Sequence, residues 1–177
     1  MKFFHSNVRF KSIIQKHHCK HMLIVSGDTE ATLYGKEHEK DALKQLEEYL
    51  GVTIEEPKKI VDKEHKFLVC IPDGLIGTDQ LVEIKCPYKC LRNSMESLAE
   101  NDAEFCLGLT PTGELRLKRD HNYFYQVQGE LNMSQRETCY FVVWSPEQFH
   151  CEIVHRDGQF WEREMFPWLL EFYRQEY

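Results

Sequence analysis

The run Leu81-Val82-Glu83-Ile84-Lys85-Cys86 constrains this chain more than any other stretch. It reads as a strand ended by Pro87, with Val82 and Ile84 on one face and Glu83 and Lys85 on the other. A strand whose solvent side carries a Glu and a Lys is common, so the pair implies nothing by itself. Upstream, the apolar run Phe67–Ile71 leads into Pro72-Asp73-Gly74, where an Asp is ordinarily a turn residue that bonds its own backbone. Further upstream, Gly35–Leu50 has helical periodicity through Leu43, Leu46 and Leu50, with Gly51 as a stop signal. The same stripe passes through Glu39, and a carboxylate aimed at the core side is costly unless paired. An acid in the first helical turn is the ordinary explanation, but Glu37 already serves that role from another face.

The remaining elements set the architecture. Residues 3–16 read as a short helix, Lys58–Val61 and Lys66–Pro72 as strands, and Asp73-Gly74 and Gly77-Thr78-Asp79 as turns. Ser94–Asn101 is weakly helical, and Leu115–Lys118 is a short strand. His121–Met133 is a helix, Thr138–Ser145 and Phe149–His155 are strands, and Gln159–Tyr173 is an aromatic-rich helix interrupted at Pro167. The expectation is one α/β domain over 1–177, a mixed central sheet flanked by helices. Length and a 42% hydrophobic content suffice for an ordinary core without disulfide or metal staples. No apolar run approaches the roughly 20 residues that cross a bilayer, and the start has no continuous apolar signal region. Seven cysteines, an odd number without a CxxC pair, argue for an intracellular, reducing compartment, cytoplasm or nucleus. His17, His18, Cys19 and His21 fit no standard zinc spacing.

The formal charge of −7 counts against nucleic acid until its distribution is considered. Residues 1–27 hold five basic side chains (Lys2, Arg9, Lys11, Lys16, Lys20), four histidines and no acid, so a basic helical arm able to meet phosphates precedes an acidic remainder. If Glu39, Asp73 and Glu83 converge, each pair at about 4 Å repels by roughly 4 kcal/mol at an effective dielectric of 20. A divalent cation turns that cost into binding, and hard oxygen donors suit Mg²⁺ or Mn²⁺ rather than zinc.

Pro72-Asp73, nine residues, then Glu83-Ile84-Lys85 resembles the PD-(D/E)XK nuclease signature. The stretches GKEHEKDA (35–42), PDGL (72–75), EIKCP (83–87) and YFYQVQGEL (123–131), in that order, resemble the lambda exonuclease/YqaJ viral-recombinase branch from about Gly35 to Trp144. The resemblance implies a restriction-endonuclease-like fold and a Mg²⁺-dependent deoxyribonuclease, a 5′→3′ exonuclease on double-stranded ends acting in recombination, with Mn²⁺ able to substitute. It implies Asp73 and Glu83 as metal ligands, the Ile84 carbonyl as a further one, Glu39 reaching the metal through water, and Lys85 as catalytic lysine. Tyr123 and Gln126, at i and i+3, share a helix face; by resemblance both face DNA, with Gln126 near the scissile phosphate or its water. Phe124, Val127 and Leu131 read as core. The family's longer N-terminal region has Ser6 and Arg9 as its counterparts here, toward a terminal phosphate. A single-strand annealing protein and a homotrimer are the implied partners. The alternative is a catalytically inactive nucleic-acid-binding or recombination-scaffold domain.

Overall fold

The computed structural model describes residues 29–176, so the basic segment 1–27, with Ser6 and Arg9, lies outside the described residues. Thr29 opens the first helix, its hydroxyl accepting the Thr32 N–H at 3.2 Å. Helix α1 (Glu30–Leu50) therefore starts well ahead of Gly35, because the cap, not the apolar stripe, decides where it begins. It ends at Gly51, whose φ of 67° is the left-handed conformation a glycine adopts freely.

Strands β1 (Ile60–Val61) and β2 (Val69–Cys70) form a small antiparallel pair. The Asp73-Gly74 step is not the turn expected of it. Gly74 begins strand β3 (Gly74–Ile76), which runs antiparallel to β4 (Gln80–Lys85). The glycine is there for close approach: a Cβ on it would lie 2.4 Å from Ile54 Cγ2. Glu55 and Leu75 exchange two backbone hydrogen bonds beside it, at 2.8 and 3.1 Å. The reversal occurs at residues 77–79, the second expected turn, with Gly77 at φ 52°.

After a 3-10 turn at Tyr88–Leu91 come α2 (Met95–Asn101), β5 (Leu107–Leu109) and β6 (Leu115–Leu117), the last two an antiparallel pair. Helix α3 (Asn122–Ser134) precedes the long hairpin of β7 (Thr138–Ser145) and β8 (Gln148–His155). The main sheet has the order β3-β4-β7-β8. The β4–β7 pairing is parallel and the others antiparallel, so the sheet is mixed as expected. Its two faces are covered differently. Ala42 and Leu46 of α1 pack on Val82, Ile84, Cys86, Val142 and Trp144, while Val127 and Leu131 of α3 belong with Leu81, Phe141 and Val143. Glu83 and Lys85 therefore lie under α3 and not in solvent.

The C-terminal segment runs as α4 (Gly158–Phe160), a π turn (Trp161–Met165) and α5 (Phe166–Glu176). The interruption expected at Pro167 falls just before it. Phe166 donates its N–H to the Trp161 carbonyl in a widened turn, and the proline then sits in the first turn of α5, where a missing N–H is tolerated.

Candidate active site

Asp73 is held by two bonds to β4. Its backbone N–H donates to the Val82 carbonyl at 3.0 Å, and its Oδ2 accepts the Ile84 N–H at 2.7 Å. The ladder is thus extended one residue past β3, and the carboxylate is set alongside Glu83-Ile84-Lys85. Glu83 is 1% exposed. Its Oε1 accepts from both Lys85 Nζ and Gln126 Nε2, whereas its Oε2 is buried without a hydrogen-bond partner. The Gln126 amide also donates to Glu130 Oε1 at 3.1 Å. Lys85 Nζ lies 4.6 Å from the centre of the Tyr123 ring, over its face.

Burial alone would pull the Lys85 ammonium down, but the Glu83 and Asp73 carboxylates outweigh it and hold the lysine above its ordinary range. Lys85 is the cation these carboxylates share. Burial, and after it the charge of Glu83, pushes Glu130 well above the usual carboxylate range, against the pull of the Gln126 amide. Tyr123 is raised by burial, partly offset by Lys85.

Asp73, Glu83, Lys85, Gln126 and Tyr123 therefore come together around β4 and α3. Glu39 arrives from the other side of the sheet. It lies on α1, the helix over Val82 and Ile84, half-buried, and its charge acts on the Cys86 thiol. That thiol is pushed up to about 12 by burial first, then by the charges of Glu39 and Asp73. Among the described residues, no three His, Cys, Asp or Glu side chains are drawn together closely enough to hold a metal ion. The donor set nonetheless suits one. Hard carboxylate oxygens flank the strand end, and the Glu83 Oε2 is a buried acceptor in need of a partner.

Sequence reasoning misses Glu130. The signal was its place four residues after Gln126, on the same helix face. Gln128, also buried, does something else. Its amide donates to the His155 carbonyl at 2.8 Å and accepts the Asp157 N–H at 2.8 Å, tying α3 to the entrance of α4. Of the two glutamines in the motif, one reaches the carboxylates and the other holds the chain together. Phe124, Val127 and Leu131 are core, as expected.

This α/β arrangement is the fold of the alkaline exonucleases. An alkaline exonuclease (LHK-Exo) from Laribacter hongkongensis superposes with a TM-score of 0.63 at 24% identity, over 83% of this chain and 71% of that one. The LHK-Exo structure in complex with dAMP gives 0.66 at 23%, over 96% and 80%. A phage-related exonuclease from Haemophilus somnus 129PT gives 0.61 at 14%, over 96% and 81%. No curated protein matches the sequence significantly. Residues 4–137 match the YqaJ-like viral recombinase domain, and the chain belongs to that family. The match begins at residue 4, so the basic N-terminal segment falls within the family region.

Proposed function

We propose that this chain is a Mg²⁺-dependent deoxyribonuclease that degrades double-stranded DNA ends in the 5′→3′ direction during recombination. The observation that carries the reading is the buried Glu83 carboxylate: one oxygen is saturated by Lys85 and Gln126, and the other is left for a ligand beside Asp73. An unpartnered acceptor on a carboxylate that is itself fixed by a lysine and an amide supports a cation as its missing partner. Asp73, Glu83 and the Ile84 carbonyl would hold Mg²⁺ or Mn²⁺, with Glu39 reaching it through water. When bound, the cation supplies Lewis-acid activation of water and neutralises charge on the scissile phosphate.

The chain's own residues do the rest. Asp73 and Glu83 are fixed before substrate arrives, Asp73 by the Ile84 N–H and Glu83 by two donors, so little reorganisation is needed. Lys85, charged throughout the neutral range, offsets negative charge developing at phosphorus. Gln126 orients Glu83, and Tyr123 supports Lys85 from below its ammonium. Ser6 and Arg9 we assign to the terminal phosphate, and a single-strand annealing protein and a trimeric assembly are the partners that recombination of this type calls for. A reducing compartment, cytoplasm or nucleus, accords with the six free thiols of the described residues.

The test is a cleavage assay on linear and closed-circular duplex DNA, labelled at the 5′ or 3′ end, with Mg²⁺, Mn²⁺ or EDTA. Release of the 5′ label as mononucleotide from linear DNA, abolished by EDTA, is the expected result. Binding without cleavage under every metal condition would favour the recombination-scaffold alternative. Light scattering on the free protein decides between monomer and trimer.

A further inference from the structure

We infer that Glu130 is a positioning residue for the nuclease site: it fixes the orientation of the Gln126 amide and, through it, the orientation of the Glu83 carboxylate. The inference rests on the functional reading above, but its geometry stands apart from it. Gln126 Nε2 carries two protons, and two carboxylate oxygens receive them, Glu83 Oε1 and Glu130 Oε1. Glu83 Oε1, already engaged by Lys85, accepts one proton and Glu130 Oε1 the other, so with both in place each N–H of the amide is assigned and its plane is fixed. Without Glu130 one of the two N–H groups loses its acceptor, and the amide plane is held by the Glu83 contact alone.

Two consequences follow from the contact pattern. Gln126 has no proton left to give a phosphate oxygen, so it acts on the site through its orientation of Glu83 and through its own carbonyl oxygen, an acceptor for water. Glu83 Oε1 stays saturated, which leaves Oε2 as the unpartnered acceptor of this carboxylate. Glu130 itself is 1% exposed and keeps its own Oε2 buried without a partner. A half-satisfied buried carboxylate is unfavourable for the fold. Its one polar contact among those described is the Gln126 amide.

The experiment compares Glu130→Gln, which keeps an acceptor oxygen at the same place, with Glu130→Leu, which removes it at similar volume. Glu130→Met replaces the leucine variant should that one fail to fold. The first readout is the pair of Gln126 side-chain amide proton resonances in the metal-free protein, assigned by their loss in Gln126→Ala. Wild type and Glu130→Gln should show two well-separated, slowly exchanging protons, and Glu130→Leu should show them shifted and exchanging at least 10-fold faster. The second is single-turnover cleavage of linear duplex DNA. Glu130→Leu should be slowed by 10-fold or more at unchanged DNA affinity, with Glu130→Gln within about 3-fold of wild type. Unchanged Gln126 amide resonances in Glu130→Leu, or equal loss in both variants, overturns the inference. A wild-type protein that fails to cut DNA would refute the nuclease reading while the resonances still decide whether Glu130 positions Gln126.

Discussion

Asp73 Oδ2 accepts the backbone N–H of Ile84 at 2.7 Å, so the carboxylate proposed as a metal ligand is also a bond of the sheet. This makes alanine a poor probe. Asp73→Ala would leave the Ile84 N–H without an acceptor in a buried strand and should cost about 1–3 kcal/mol in urea denaturation. Asp73→Asn keeps an acceptor oxygen and should remain close to wild type in stability. Both should lose Mn²⁺ binding and cleavage. A calorimetric Mn²⁺ titration of Asp73→Asn that matched wild type would remove Asp73 from the ligand set.

The Asp73 position also depends on its neighbour. A methyl on Gly74 would meet Ile54 Cγ2 at 2.4 Å, so Gly74→Ala should overpack the β3 entrance at a cost of about 1–3 kcal/mol. Ile54→Ala opens the same space, and the double variant should recover part of the loss. A thermodynamic cycle should show favourable coupling of about 0.5–3 kcal/mol. Strict additivity would mean that the strand shifts as a whole instead of clashing at that side chain.

What the sequence could disclose follows from which signals are local. The Glu83 and Lys85 pairing on one strand face was legible because alternation is a property of the strand alone. So were the shared face of Tyr123 and Gln126 and the hairpin at residues 77–79. That the Glu83 face is buried was not legible, because it depends on α3 packing there from some forty residues away. Gly74 looks like a turn residue in the sequence because a steric demand from Ile54 leaves no trace in a turn pattern. Glu130 and Gln128 both sit in the helical motif, yet their different roles depend on what stands opposite each: Gln126 in one case, the β8 terminus in the other. Glu39 shares the apolar stripe of α1 in the sequence, and that stripe lies on the far face of the sheet from Glu83.

The thiols provide a test of burial near the site. Cys86 and Cys106 are pushed up to about 12, and Cys90 and Cys151 to about 11, by burial in each case, while Cys70 and Cys139 are raised as well. At pH 8 such groups are ionised to about one part in a thousand or less, against roughly a quarter for an ordinary cysteine. A brief iodoacetamide pulse on the native protein should therefore add at most one group, at Cys19 outside the described residues, and seven after denaturation. Two or more rapid adducts by mass spectrometry would show that the sheet opens around these thiols. Cys86→Ser should keep its cleavage rate, since nothing in the geometry gives this sulfur a chemical task.

Lys85 separates an enzyme from a binding scaffold most sharply, and its contacts predict two effects that must be read apart. Its ammonium is one of two donors to the buried Glu83 Oε1, and breaking a buried pair from one side typically costs about 3–5 kcal/mol. Lys85→Ala should accordingly lose stability of that order in EDTA. It should recover much of that loss in excess Mn²⁺, because a cation bound to the folded state restores the missing countercharge and stabilises by mass action. Mn²⁺ affinity should not fall, since the lysine competes with the metal for the same carboxylates. Under saturating Mn²⁺, where the folded state is populated, the single-turnover rate should still drop by about 10²–10³, the usual consequence of removing one electrostatic donor aimed at the transition state. A scaffold would show the reverse: weaker DNA binding with a salt slope lower by about one, and no rate to lose. Denaturation with and without Mn²⁺, a salt-dependent binding curve and one cleavage time course distinguish the two, and a Lys85→Ala protein that cuts as fast as wild type would remove the lysine from the reaction.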